Sequence, residues 1–111
     1  QQPGQTLARL QAAFRERDFL DTVHSVGRRI TRGITVDDIV EAVGYDQREI
    51  IEEYPSDPRG PSCLVLGVAR SQILHVLCTL SEPTTIITCY QPNPAEWTHG
   101  FRSRSVPHEM P

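Results

Sequence analysis

The sequence contains no lysine: all eleven basic residues are arginine, set against fourteen acidic ones, for a formal net charge of −3. An acidic balance is not the electrostatic footprint of a general nucleic-acid binder, although it leaves room for a local basic patch. An arginine-only basic set fits either genome composition, the plainer account, or a site that favours planar, bidentate phosphate contacts. Cysteine is scarce and odd in number (Cys63, Cys78 and Cys89), with no CxxC pair, so a disulfide framework or zinc site is not expected and the three read as buried thiols in strands. No apolar run is long enough to cross a bilayer, and the polar opening Gln1-Gln2-Pro3-Gly4 is not a signal-peptide pattern, so a cytoplasmic protein without membrane contact is expected.

What is present fits one domain over residues 1–111, with a helical part at about 6–43, a sheet part at about 48–97 and a tail at about 98–111 that loses periodicity and reads as mobile or partner-bound from Ser103 to Pro111. Leu7, Leu10 and Phe14 recur at helical spacing and predict a first amphipathic helix over about Thr6 to Arg17. Asp18 reads as the N-cap of a second helix with Asp21 at its third position, Phe19, Val23, Val26 and Ile30 as its core face, and Gly33 as its stop. The third helix, from about Val36 to Val43, is signalled by Thr35 as cap, Asp38 three residues on and Gly44 at the end.

Strands are predicted near Arg48 to Tyr54, at about Ser62 to Ala69, from Ile73 to Leu80 and over Thr84 to Tyr90. Pro55 to Pro61, Arg70-Ser71-Gln72 and Ser81-Glu82-Pro83 connect them. Asn93, Pro94 and Glu96 then build a capped turn that delivers Trp97, read as a cover for the core. Helices first and hairpin-connected strands after them predict an α+β class, with amino-terminal helices packed on a mainly antiparallel sheet of about four strands.

His24 and Arg28 are four apart on the second helix, with Thr31 and Arg32 close by, on the side away from Phe19, Val23 and Val26. A solvated face whose basic end complements the helix dipole is the plainer reading. Strand alternation puts His75 with Ile73, Leu77 and Thr79, opposite the core-side residues Leu74, Val76, Cys78 and Leu80. A satisfied or half-exposed histidine is the plainer reading there as well. If His24 and His75 met, they would supply the base and acid that metal-free RNA cleavage needs, with Arg28 and Arg32 stabilising the phosphorane. Tyr90 would be a positioning hydroxyl or a stacking ring. Glu49, Glu52 and Glu53 have no metal-ligand spacing with any histidine and read as solvated; no metal and no cofactor is expected.

Several short motifs carry a resemblance: His24-x-x-x-Arg28, Arg32-Gly33-Ile34-Thr35 with Asp38-Ile39, Ile50-Ile51-Glu52 with Tyr54-Pro55, Leu64-x-Leu66-Gly67, Leu74-His75-Val76, and Ile87-Thr88-x-Tyr90-x-Pro92 followed by Trp97. In this order, over about Asp21 to Trp97, the chain resembles the small bacterial DUF4258 family of domains of unknown function. That family resembles in turn the RelE-like and barnase-like ribonuclease group. The resemblance implies a sheet with helices on one face, an RNA-cleaving site on the other, and a toxin paired with an antitoxin protein. Carried over by position, His24 and His75 would be catalytic, Arg28 and Arg32 phosphate-binding, and Tyr90 substrate-positioning. The acidic balance and missing lysine depart from such toxins. The expectation is therefore a toxin-type endoribonuclease or, as the alternative, a non-catalytic interaction module with the same fold. The Leu7, Leu10 and Phe14 stripe lies outside the resemblance and is a candidate surface for homo-oligomer or partner contact.

Overall fold

The computed structural model describes residues 3–45 and 48–105. Helix α1 (Pro3–Arg15) buries Leu10 and Phe14 completely, and Phe14 stacks on Phe19 at 4.8 Å. These side chains pack with Ile39, Ala42 and Val43 of α3 (Val36–Gly44), so most of the stripe expected to face another copy is used inside the chain. Helix α3 has the predicted capping box: Thr35 Oγ1 accepts from the Asp38 amide at 3.1 Å, and Asp38 Oδ2 accepts from the Thr35 amide at 2.9 Å. At its other end Arg15 donates to the Gly44 carbonyl at 2.6 Å.

The main sheet has five strands where about four were expected, in the order β1-β5-β4-β3-β2. These are β1 (Leu20–Asp21), β2 (Glu49–Tyr54), β3 (Ser62–Ala69), β4 (Gln72–Thr79) and β5 (Thr85–Tyr90). All neighbours are antiparallel except β1, which runs parallel to β5. The class is α+β, as the element order predicts. The fifth strand is the stretch read as the start of the second helix. Asp18 does not cap that helix; the chain first pairs Leu20 with Thr85 and Asp21 with Ile86.

Helix α2 (Val23–Arg32) therefore starts later, with Thr22 as N-cap and Gly33, at φ 71°, as the predicted stop. Its expected core face is corrected at two of its four positions: Val23 is 92% and Ile30 67% exposed and Ser25 is fully buried instead, while Val26 is half-buried and Phe19, now ahead of the helix, packs against the core. The polar side holds the helix down, with Arg29 bonded to Asp21 at 2.8 Å and Arg32 donating to the Cys89 carbonyl at 2.7 Å. Gly27 sits mid-helix with nothing within 4 Å of where a Cβ would stand. Gly27→Ala is accordingly expected to raise stability by about 1 kcal/mol, read as a higher urea midpoint.

Core residues Cys63, Val65, Val76, Cys78, Ile86 and Cys89 line the sheet face under the helices, where burial pushes the Cys89 thiol up to about 11. β3 and β4 turn through Arg70 and Ser71, both at positive φ, the geometry of a two-residue hairpin. Beyond β5, Asn93 Oδ1 accepts from the Ala95 amide at 2.9 Å, in the turn that delivers Trp97. The stretch read as an aperiodic tail then forms a hairpin, β6 (Trp97–Thr98) with β7 (Ser103–Arg104). The turn expected through Tyr45 and Asp46 into the next strand falls in part, and the tail from 106 on falls wholly, outside the described residues.

Candidate functional site on the helix-free sheet face

Antiparallel register places Leu66, His75 and Tyr90 side by side, and beside them Glu52, Leu64, Leu77 and Thr88. Alternation turns these away from the helices. The β6–β7 hairpin lies over this face. Trp97, 5% exposed, meets the His75 ring edge-on at 4.4 Å, and the Arg104 guanidinium stands 4.6 Å from the Trp97 ring centre. Arg104 grips both carboxylate oxygens of Glu52 at 2.9 and 3.0 Å, and Arg102 does the same to Glu49 at 2.8 and 2.7 Å. Glu49 and Glu52, read from sequence as solvated, are thus the anchor points of the hairpin. The Arg102 bond holds the Glu49 carboxyl below its ordinary range against a small opposing effect of burial.

His75 is fully buried, and both ring nitrogens are occupied. Nε2 lies 2.9 Å from the Phe101 carbonyl, which can only accept, so Nε2 carries the proton. Nδ1 is then left to accept from the Tyr90 hydroxyl at 3.3 Å. Burial drives the His75 pKa down to about 4, although the Phe101 bond pulls the other way. The neutral ring is preferred in the folded chain, so the unfolded chain binds the extra proton between about 6.5 and about 4. The stabilisation is complete above pH 6.5 and is lost as pH falls toward 4, and at 1.36 kcal/mol per unit its full size is about 3 kcal/mol. Urea midpoints at pH 7 and pH 4.5 are expected to differ in that direction.

Beside Tyr90 lies a cavity of about 480 Å³ with Leu64 and Leu77 in its lining, bounded by the Tyr54–Arg59 loop and Arg104. Its two arginines are both committed: Arg104 to Glu52, and Arg59 to Asp57 at 3.0 and 3.1 Å. The Arg59 bond takes the Asp57 carboxyl down to about 2, despite some burial. Burial pushes the Tyr90 phenol up to about 12, and burial with the Glu52 bond raises that of Tyr54. Both phenols are protonated at neutral pH. The Tyr90 and Tyr54 hydroxyls are already donated to His75 and Glu52, so they remain to a ligand as acceptors, and His75 and these two phenols supply no base there at neutral pH.

Of the sequence-predicted residues, the structure joins His75 to Tyr90 and brings neither to His24. His24 and Arg28 are exposed on α2, and among the described residues no hydrogen bond or ring contact ties them to His75. Arg32 covers the edge of β5, bonded to the Cys89 carbonyl and 3.4 Å from Thr88 Oγ1. Sequence reasoning missed Arg102 and Arg104, whose i, i+2 spacing opposite two acidic residues was the available signal.

The family model for the domain of unknown function DUF4258 matches residues 22–91, more than half of the chain. The protein belongs to the DUF4258 family. The DUF4258 span starts at the N-cap of α2 and ends just past β5, so α1 and the hairpin bearing Trp97 fall outside it, whereas the resemblance was expected to reach Trp97. His24, Arg28, Arg32, His75 and Tyr90 all lie within it. No curated protein and no solved structure matches the chain. Among the described residues no helix is long and apolar enough to cross a membrane.

Proposed function

We propose that this DUF4258 chain is a non-catalytic binding module of RelE-like fold, working in the bacterial cytoplasm, which uses the helix-free face beside Tyr90 to hold a flat, largely apolar group of its partner. The observation that carries this reading is His75: it is sealed under Trp97, neutral, and saturated by Phe101 and Tyr90. A ring in that state neither takes up nor delivers a proton in a cleavage step near neutral pH. The neutralised arginines of the cavity likewise favour an uncharged group over a phosphate.

A toxin-type endoribonuclease, acting on RNA and restrained by an antitoxin protein, is the second reading. It is favoured by the convergence of Tyr90, Arg59 and Arg104 on one cavity. Incubation of the purified protein with single-stranded RNA at pH 7, and induced expression in a bacterial culture, separate the two. The expected results are uncut RNA and continued growth, with adenine and indole used as flat probes shifting the Leu64 and Leu77 methyl resonances. RNA cleavage abolished by His24→Ala or His75→Ala would overturn the binding reading and restore the nuclease.

A further inference from the structure

An amphipathic surface helix ordinarily turns its apolar stripe to the core. Helix α2 does the reverse. At 100° per residue, Ser25, Arg29 and Arg32 fall on one side and Val23, Gly27 and Ile30 on the other. The first set faces the protein: Ser25 is fully buried, Arg29 bonds Asp21 at 2.8 Å and the Ile34 carbonyl at 3.3 Å, and Arg32 bonds the Cys89 carbonyl at 2.7 Å. The second faces outward, with Val23 92% and Ile30 67% exposed, and Leu20 of β1, 55% exposed, lies just before the helix. Isolated exposed apolar residues need no explanation, but here they form the outer stripe of a helix held by its polar side.

The steps from Val23 to Gly27 to Ile30 are four and then three residues, the spacing of a helix-to-helix seam. Gly27 leaves open space at the centre of that seam, where a partner backbone can come close. The fixed charge on this exposed side is positive. Arg28 is exposed, as is His24 one turn before it, among the described residues neither side chain takes part in a hydrogen bond or ion pair, and α2 contains no carboxylate. In a chain of net charge −3 the outer side of α2 thus presents an arginine without an acidic partner among the described residues.

We propose that the outward face of α2, with Leu20 at its start, is the docking site for an amphipathic helix of another protein whose apolar seam is flanked by carboxylates. Charge complementarity selects this occupant. A second copy of the chain, crossing antiparallel at Gly27 about a two-fold axis, would set Arg28 beside the same residue of its partner, which like charges disfavour. The ten residues of α2 rise about 15 Å, matching two to three turns of a partner helix. So small an interface fits reversible binding in the micromolar range. This surface is separate from the helix-free face and does not depend on what that face binds.

The test uses the full chain and two designed three-heptad peptides, each with leucine along the seam, one with glutamate and the other with lysine on both flanks. Binding is followed by fluorescence anisotropy at moderate salt, and thermal midpoints are recorded for every variant. The acidic peptide is expected to bind at least about tenfold more tightly than the basic one. Val23→Asp and Ile30→Glu should each weaken it by about tenfold with the thermal midpoint unchanged, since both side chains are exposed. Arg28→Glu should narrow or reverse the preference. Equal or absent binding of the two peptides, or affinity indifferent to Val23→Asp and Ile30→Glu, would overturn the proposal. So would a dimer in sedimentation equilibrium that Ile30→Glu dissociates, because the occupant would then be a second copy.

Discussion

Replacing Trp97 by alanine is expected to cost about 3–5 kcal/mol of folding stability, measured from urea unfolding at pH 7. Trp97 is 5% exposed, packs edge-on against His75 and lies beneath the Arg104 guanidinium, so its removal leaves a void between β4 and the hairpin. The loss has a second consequence that a plain packing role would not produce. Burial is the main cause holding the His75 pKa near 4, and the indole is part of that burial. In Trp97→Ala the imidazole should titrate closer to 6.5, its ordinary value. A destabilised variant whose His75 still titrates near 4 would show that the β-strand environment alone, and not the hairpin, seals the ring.

Gly67→Ala is expected to be equally severe, for a different reason. A Cβ at this position in β3 would stand 1.6 Å from the Ala42 carbonyl oxygen and 2.5 Å from its carbon, both backbone atoms of α3. Neither can rotate away, so α3 would have to lift from the sheet and uncover Val43 and Ile39. A cost of more than about 3 kcal/mol follows, read as a collapsed urea midpoint or failure to fold. The same substitution at Gly27, where a Cβ meets open space, should act in the opposite direction. The pair of variants tests the packing geometry with chemistry held constant.

Much of the frame is legible in the sequence because it rests on local signals. Thr35 with Asp38 fixes the start of α3, Gly33 the end of α2, and alternation with a short turn fixes β3 and β4 to within a residue. What was not legible depends on partners distant in the chain. β1 is two residues long and exists only because β5 accepts it in parallel, so nothing near Leu20 announces it. The stripe on α2 is readable, but its direction is not. Periodicity finds an apolar face, whereas Arg29 on Asp21 and Arg32 on the Cys89 carbonyl decide which way the helix turns. The candidate site divides in the same manner. His75 and Tyr90 could be placed on one face by alternation, and the register does put them opposite each other. Their enclosure could not, because it needs Arg102 and Arg104 to find Glu49 and Glu52 across some fifty residues of sequence.

The proposed binding role rests on His75 being a sealed structural imidazole and not a proton-transfer group. The most direct measurement is a pH titration of its ring nitrogens by ¹⁵N NMR in the intact chain. A midpoint of about 4 is expected, with the proton on Nε2 and Nδ1 unprotonated throughout the neutral range. A midpoint near 6.5 or above, or a protonated Nδ1 at pH 7, would contradict it.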